Sequence, residues 1–212
     1  MRCGFASRDI TPEGPVPLVG ISGNRTGKTK IDPLQAKVLS FEGRSRRRAL
    51  IIVLDLLYVG EQLAADLYND IEKRYGIPQK QVLILATHTH SAPKTSVEFL
   101  DNTPLNTAFL ITVHAQVMSA VAEALSSLAD VTIDGVNVSG VPAINRRLPV
   151  TGLAKLHPRL RQKDVINRPN RGVETDDTMR AFRLTRADGS VTWLINATLH
   201  TSVFRGSGYT AD

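Results

Sequence analysis

Three of the five histidines in this 212-residue chain stand where a strand-like run gives out. Val82-Leu83-Ile84-Leu85-Ala86-Thr87-His88-Thr89-His90-Ser91-Ala92-Pro93 begins as an apolar, β-branched run that reads as a buried strand, and Ser91 and Pro93 bring it to a stop. Alternation along an extended strand directs His88 and His90 to the same side. Two imidazoles there offer lone pairs to a metal, or one binds metal while the other works on substrate. Alone, the pair reads equally as two polar residues opening a loop. Leu194-Ile195-Asn196-Ala197-Thr198-Leu199-His200 changes that balance, because it is a second apolar run ending in a histidine.

The elements that must position these side chains follow from periodicity. Gln35–Phe41 and Ala49–Leu57 read as strands joined by the charged tip Glu42-Gly43-Arg44-Ser45-Arg46-Arg47-Arg48. The second is apolar throughout and is expected to be central, covered on both faces, ending at Asp55. That acid is expected either to accept from nearby backbone donors or to serve a site. Leu63, Leu67 and Ile71 predict a helix over 61–75, stopped by Gly76 and Pro78. Strand, helix and strand in this length predict a βαβ unit. Phe109, Val113, Val117, Val121 and Leu125 predict a longer helix over 106–128, with His114 beside the stripe as a structural residue. Val131–Ile133 and Val136–Val138 read as two strands around Asp134-Gly135, and Met179–Leu184 and Val191–Ala197 as a hairpin around Ala187-Asp188-Gly189. Residues 4–20 read as an irregular lead-in pinned by Pro12, Pro15 and Pro17. Gly23-Asn24-Arg25-Thr26-Gly27-Lys28-Thr29 misses the phosphate-binding loop spacing, since Ser22 stands where a glycine is needed, and reads as a flexible loop.

Composition bounds the class. At 42% hydrophobic the chain can bury a core, and one cysteine, Cys3, rules out an internal disulfide framework. No 18-residue apolar run and no leader-like start are visible, so the sequence as written is expected in the cytoplasm, or secreted if the native start lies upstream. The net charge is +6, and eight of the 26 basic residues lie between Arg146 and Arg171, where Asp164 is the sole acid. The longer stretch Pro142–Gly172 that contains them shows no helical or strand period and reads as a long basic loop of the kind that binds. Without interleaved aromatics it does not read as a nucleic-acid surface, whereas peripheral contact with an anionic membrane surface fits its charge.

In order along the chain, Asp9-Ile10-Thr11-Pro12, Thr87-His88-Thr89-His90-Ser91-Ala92-Pro93, Ile144-Asn145-Arg146 and His200 resemble the neutral/alkaline ceramidases. The threonine-histidine element is the specific part. The family reads H-S-G-P where His90-Ser91-Ala92-Pro93 stands here, and N-R-S where Asn145-Arg146-Arg147 stands. The resemblance implies a zinc amidohydrolase that cleaves the N-acyl bond of ceramide-like lipids to sphingosine and fatty acid. It implies Zn2+ ligands at His88 and His200, and catalytic roles for His90, near the substrate carbonyl, and Arg146, which would either neutralise charge on the tetrahedral intermediate or hold the site together by hydrogen bonds. It places a further glutamate and tyrosine ligand beyond Asp212, so residues 1–212 read as the N-terminal portion of a catalytic domain whose C-terminal part is missing.

The expectation is therefore an α/β fold, a mixed β-sheet core flanked by helices, with strands near 49–55, 82–88 and 192–199 in one sheet. His88 and His200 should bring ring nitrogens to about 3–4 Å, the separation of two ligands on one tetrahedral zinc. His90, on a straight strand, is expected to donate protons and not to bind metal. Asp55 and Tyr209 are spare ligand candidates, Tyr209 in a tail without evident anchoring. A non-catalytic binding or structural domain on the same fold is the alternative, and the chain alone is expected to be inactive.

Overall fold

The computed structural model describes residues 1–21, 25–97, 104–201, 204 and 206–211. The chain order is β1 (Arg2–Asp9), β2 (Val16–Leu18), β3 (Arg25–Gly27), β4 (Thr29–Lys30), β5 (Gln35–Glu42), β6 (Arg48–Leu54) and α1 (Glu61–Tyr75). There follow β7 (Val82–Ala86), α2 (Thr107–Ser126), β8 (Ala129–Val138), β9 (Asn145–Pro149) and β10 (Val165–Asn170). β11 (Met179–Arg186), β12 (Val191–Asn196) and β13 (Gly208–Tyr209) complete the order. Two compact units result, one of residues 1–132, 184–192 and 200–212, the other of 133–183 and 193–199.

The first unit is built on a mixed sheet of order β12-β11-β8-β1-β5-β6-β7, to which β8, β11 and β12 contribute only their ends within this unit. β1–β5 and β5–β6 are antiparallel, and β6–β7 is parallel, joined through α1. Register follows burial. Ala36, Val38, Leu50, Ile52 and Leu54 point to one face, where they meet Leu63, Leu67 and Ile71 of α1 and Val113, Val117 and Val121 of α2. α1 ends as its sequence predicts, with Gly76 at φ 65° and its N–H donating to Glu72. Asn106 caps α2 by accepting from the Phe109 N–H at 3.0 Å. By composition α2 is long and apolar enough to cross a bilayer, but its stripe lies in this core. His114 places its Nε2 3.4 Å from Asp70, tying α2 to α1 as the structural reading expected.

Several sequence expectations are corrected. Residues 2–9 form β1; the turn formers that suggested an irregular lead-in all lie after Asp9. β6 is central, but its second face is only partly covered, since Ile51 and Val53 are half-buried. β7 is an edge strand whose Leu83 and Leu85 are exposed. A continuous apolar run did not mean burial on both faces. Of the glycine loop, residues 22–24 lie outside the described residues, while Arg25–Gly27 is β3. Cys3 is buried, which pushes its thiol up to about 11 and leaves it inert at neutral pH.

In the second unit β8 is one strand. Gly135 does not turn it; a Cβ there would lie 3.2 Å from Phe182, so the glycine admits that ring. The segment expected to be a structureless basic loop contains the antiparallel pair β9–β10 and a 3-10 turn at Gly152–Leu156.

Candidate metal centre

β7 stops at Ala86, and the chain continues alongside β6 through backbone bonds. Thr87 N–H donates to Leu54 and His88 N–H to Leu56, both at 2.9 Å. His88 then adopts φ 66°, a left-handed conformation that costs a non-glycine residue energy and persists only where its surroundings hold it. The backbone between His88 and His90 therefore turns, and the straight-strand argument for their common side is replaced. One fixing contact is His88 Nδ1, 2.7 Å from the Leu57 carbonyl. The carbonyl accepts only, so Nδ1 carries the proton and Nε2 keeps its lone pair for a metal.

His90 is buried and is held from several directions. Arg25, a residue whose role the sequence did not disclose, donates to the His90 carbonyl and to those of Val19 at 3.3 Å and Gly206 at 3.2 Å. Gly20 has φ 93° and lies so close that a Cβ would fall 2.4 Å from His90 Nδ1. Thr89 Oγ1 donates to the Thr210 carbonyl at 2.9 Å, and Thr201 Oγ1 to that of Thr87, also at 2.9 Å. Thr210 and Ala211 in turn donate to the Asp32 carboxylate, each at 2.8 Å. The segment carrying His200 is thus stitched to the one carrying His88 and His90.

The result is a cluster of three imidazoles. Ring centroids are 5.1 Å apart for His88–His90 and His88–His200, and 4.8 Å for His90–His200. One ligand nitrogen from each lies within 4.8 Å of the others, a group that can hold a metal ion. The Nε2 atoms of His90 and His200 are 3.2 Å apart, close to the roughly 3.3 Å edge of a tetrahedron with bonds of about 2.0–2.1 Å. The donor set, with His88 fixed in the right tautomer, fits a borderline-soft divalent cation.

The spare candidates are placed elsewhere. Asp55 is fully buried, accepting from the Gln35 N–H at 2.9 Å and lying 3.2 Å from Lys37 Nζ; it pins β6 to β5. Tyr209 is anchored, not loose. Its hydroxyl accepts from Val16 N–H at 3.1 Å and donates to the Gly14 carbonyl at 2.8 Å, which holds β13 in place. Arg146 lies exposed on β9 in the second unit, lining a shallow groove of about 440 Å³ with Asn145, Arg147 and Val165.

The sequence matches no family model and no curated protein. Solved structures do match. A neutral ceramidase from Pseudomonas aeruginosa superposes with a TM-score of 0.77 at 17% identity, covering 100% of this chain and 34% of its own. A ceramidase complexed with C2 gives 0.77 at 19%, covering 100% and 33%. The chain carries part of the ceramidase fold. It spans about a third of the length of these structures, and the likeness is one of fold.

Proposed function

We propose that the chain contributes the histidines of a zinc-dependent amidohydrolase that cleaves the N-acyl bond of ceramide-like lipids. The observation that carries this is the convergence of His88, His90 and His200 within 4.8 Å on a ceramidase fold. His88 and His200 hold the ion, His88 through Nε2 because Leu57 occupies its Nδ1. When bound, zinc supplies a water acidified to a pKa near 7 and a pull on the amide carbonyl oxygen. His90, kept in place by Arg25 and Gly20, donates a proton to the developing oxyanion or to the leaving amine.

A second reading makes His90 the third ligand, favoured by its 3.2 Å separation from His200. Zinc titration with a chromogenic chelator separates the two. His88→Ala and His200→Ala should each weaken binding strongly, whereas His90→Ala does so only if it ligates. Zinc uptake indifferent to His88→Ala would sink the reading altogether. With zinc added, a fluorogenic N-acyl sphingosine should show little or no turnover by the 212-residue chain, since a catalytic zinc needs about three protein ligands and a glutamate and tyrosine are expected outside it. Turnover abolished by His88→Ala would instead show that the ligand set is already complete.

A further inference from the structure

The segment Arg146–Arg171 of the second unit concentrates eight basic side chains around one acid, Asp164. Lys155 Nζ lies 3.0 Å from that acid and neutralises it, which leaves Arg159, Arg161 and Lys163 exposed on the same tip. Beside them stand Leu153 and Leu156, 84% and 75% exposed, the two most exposed large apolar side chains among the described residues. A solvated charge run gives no reason to present two leucines to water.

The tip is also built, not loose. Val150 N–H donates to Asp164 at 2.8 Å, closing the base of the loop. The N–H groups of Leu160 and Arg161 donate to His157, and that of Lys163 to Leu160, at 2.9–3.0 Å. Arg159 N–H reaches His157 Nδ1 at 3.2 Å. These backbone donors therefore have partners without water, a condition for entering an apolar boundary cheaply. No Phe, Tyr or Trp lies between residues 142 and 172, so a nucleic-acid strand would find charge there but no stacking platform.

We infer that the β9–β10 tip docks on an anionic lipid surface. Leu153 and Leu156 enter the headgroup–acyl boundary, while Arg159, Arg161 and Lys163 lie against lipid phosphates with their stems along the interface. This stands independently of the hydrolase reading, because its readouts involve neither zinc nor turnover.

The test is co-sedimentation of the 212-residue chain with phosphatidylcholine vesicles containing about 30% phosphatidylglycerol, against phosphatidylcholine alone. The chain should pellet with the anionic vesicles and be released by raised salt. The triple variant Arg159→Glu, Arg161→Glu, Lys163→Glu and the double variant Leu153→Asp, Leu156→Asp should each lower the bound fraction about tenfold. Both change exposed side chains and should melt at the parent temperature. Insertion is read directly in a Trp193→Phe background carrying Leu156→Trp, whose emission should shift to the blue on anionic vesicles only. Unchanged binding by either variant set, absence of the blue shift, or retention on single-stranded RNA with none on vesicles would each overturn the inference.

Discussion

The histidine loop and the basic tip are both irregular segments following strands, yet they are stabilised in opposite ways. Around the histidines, side chains and backbone reach across long stretches of sequence: Arg25 to His90, Thr89 to Thr210, Thr201 to Thr87. At the tip every backbone bond described above is local, and apart from the Lys155–Asp164 pair the charged side chains face water. The first arrangement ties the histidine-bearing segments to one another, which a metal demands of its ligands. The second leaves long side chains free to adapt, which a fluid surface tolerates and a metal would not.

Substitutions can set this contrast in numbers. The largest gap should come from one residue type in two places. Leu67→Ala, on the fully buried face of α1 in the first unit, should cost about 2–5 kcal/mol in denaturant unfolding. Leu153→Ala at the tip should change stability by less than about 0.5 kcal/mol. Equal costs would erase the distinction. Next, His88→Ala should weaken zinc binding about 100-fold by competition with a chelator, and Arg146→Ala not at all. Gly20→Ala should lower stability by roughly 1–3 kcal/mol, since it combines φ 93° with a 2.4 Å clash against His90 Nδ1.

The smallest effect concerns pH. Glu42, buried at the β5–β6 turn, is held below the ordinary carboxylate pKa by hydrogen bonds from Arg48 and Arg2, with Arg46 nearby. A depressed folded-state pKa means that the unfolded chain takes up the proton first. Stability from Glu42 is thus complete above the unfolded value of about 4.5 and drains away as pH falls below it towards the depressed one. A Glu42→Gln variant should be less stable at neutral pH and lose less than the parent between pH 5 and pH 3. A parallel loss in both proteins would remove Glu42 as the cause.

Much of the frame is legible because its pattern is strong. Leu63, Leu67 and Ile71 with Gly76 define α1 almost to the residue, and Asn106 and Phe109 define the start of α2. The mixed sheet, with β6, β7 and β12 in it, also follows from apolar runs. What the sequence hides is set by partners distant along the chain. Nothing local to Arg25 reveals that it grips the His90 carbonyl, and Gly20 looks like any loop glycine until His90 is packed on it. β1 escaped because its polar residues, such as Ser7 and Arg8, mask the alternation that pairing with β5 reveals. The left-handed turn at His88 is equally silent, since a β-branched flank argues for extension.

The stitching of His200 and Thr210 onto the His88–His90 loop also gives the site a place in time. His90 and His200 are 110 residues apart, and Thr89 and Thr210 are 121 apart. At a translation rate of about 5–20 residues per second, His90 waits roughly 5–20 s before its partner is made. The β5–β6 hairpin and the α1 crossover, whose contacts are far closer in sequence, can assemble within that interval. Ribosome-bound chains arrested with residue 195 outside the exit tunnel should therefore already resist protease across α1 and β6, yet gain no added resistance from zinc. Zinc-dependent protection should begin only once residues 200–210 have emerged.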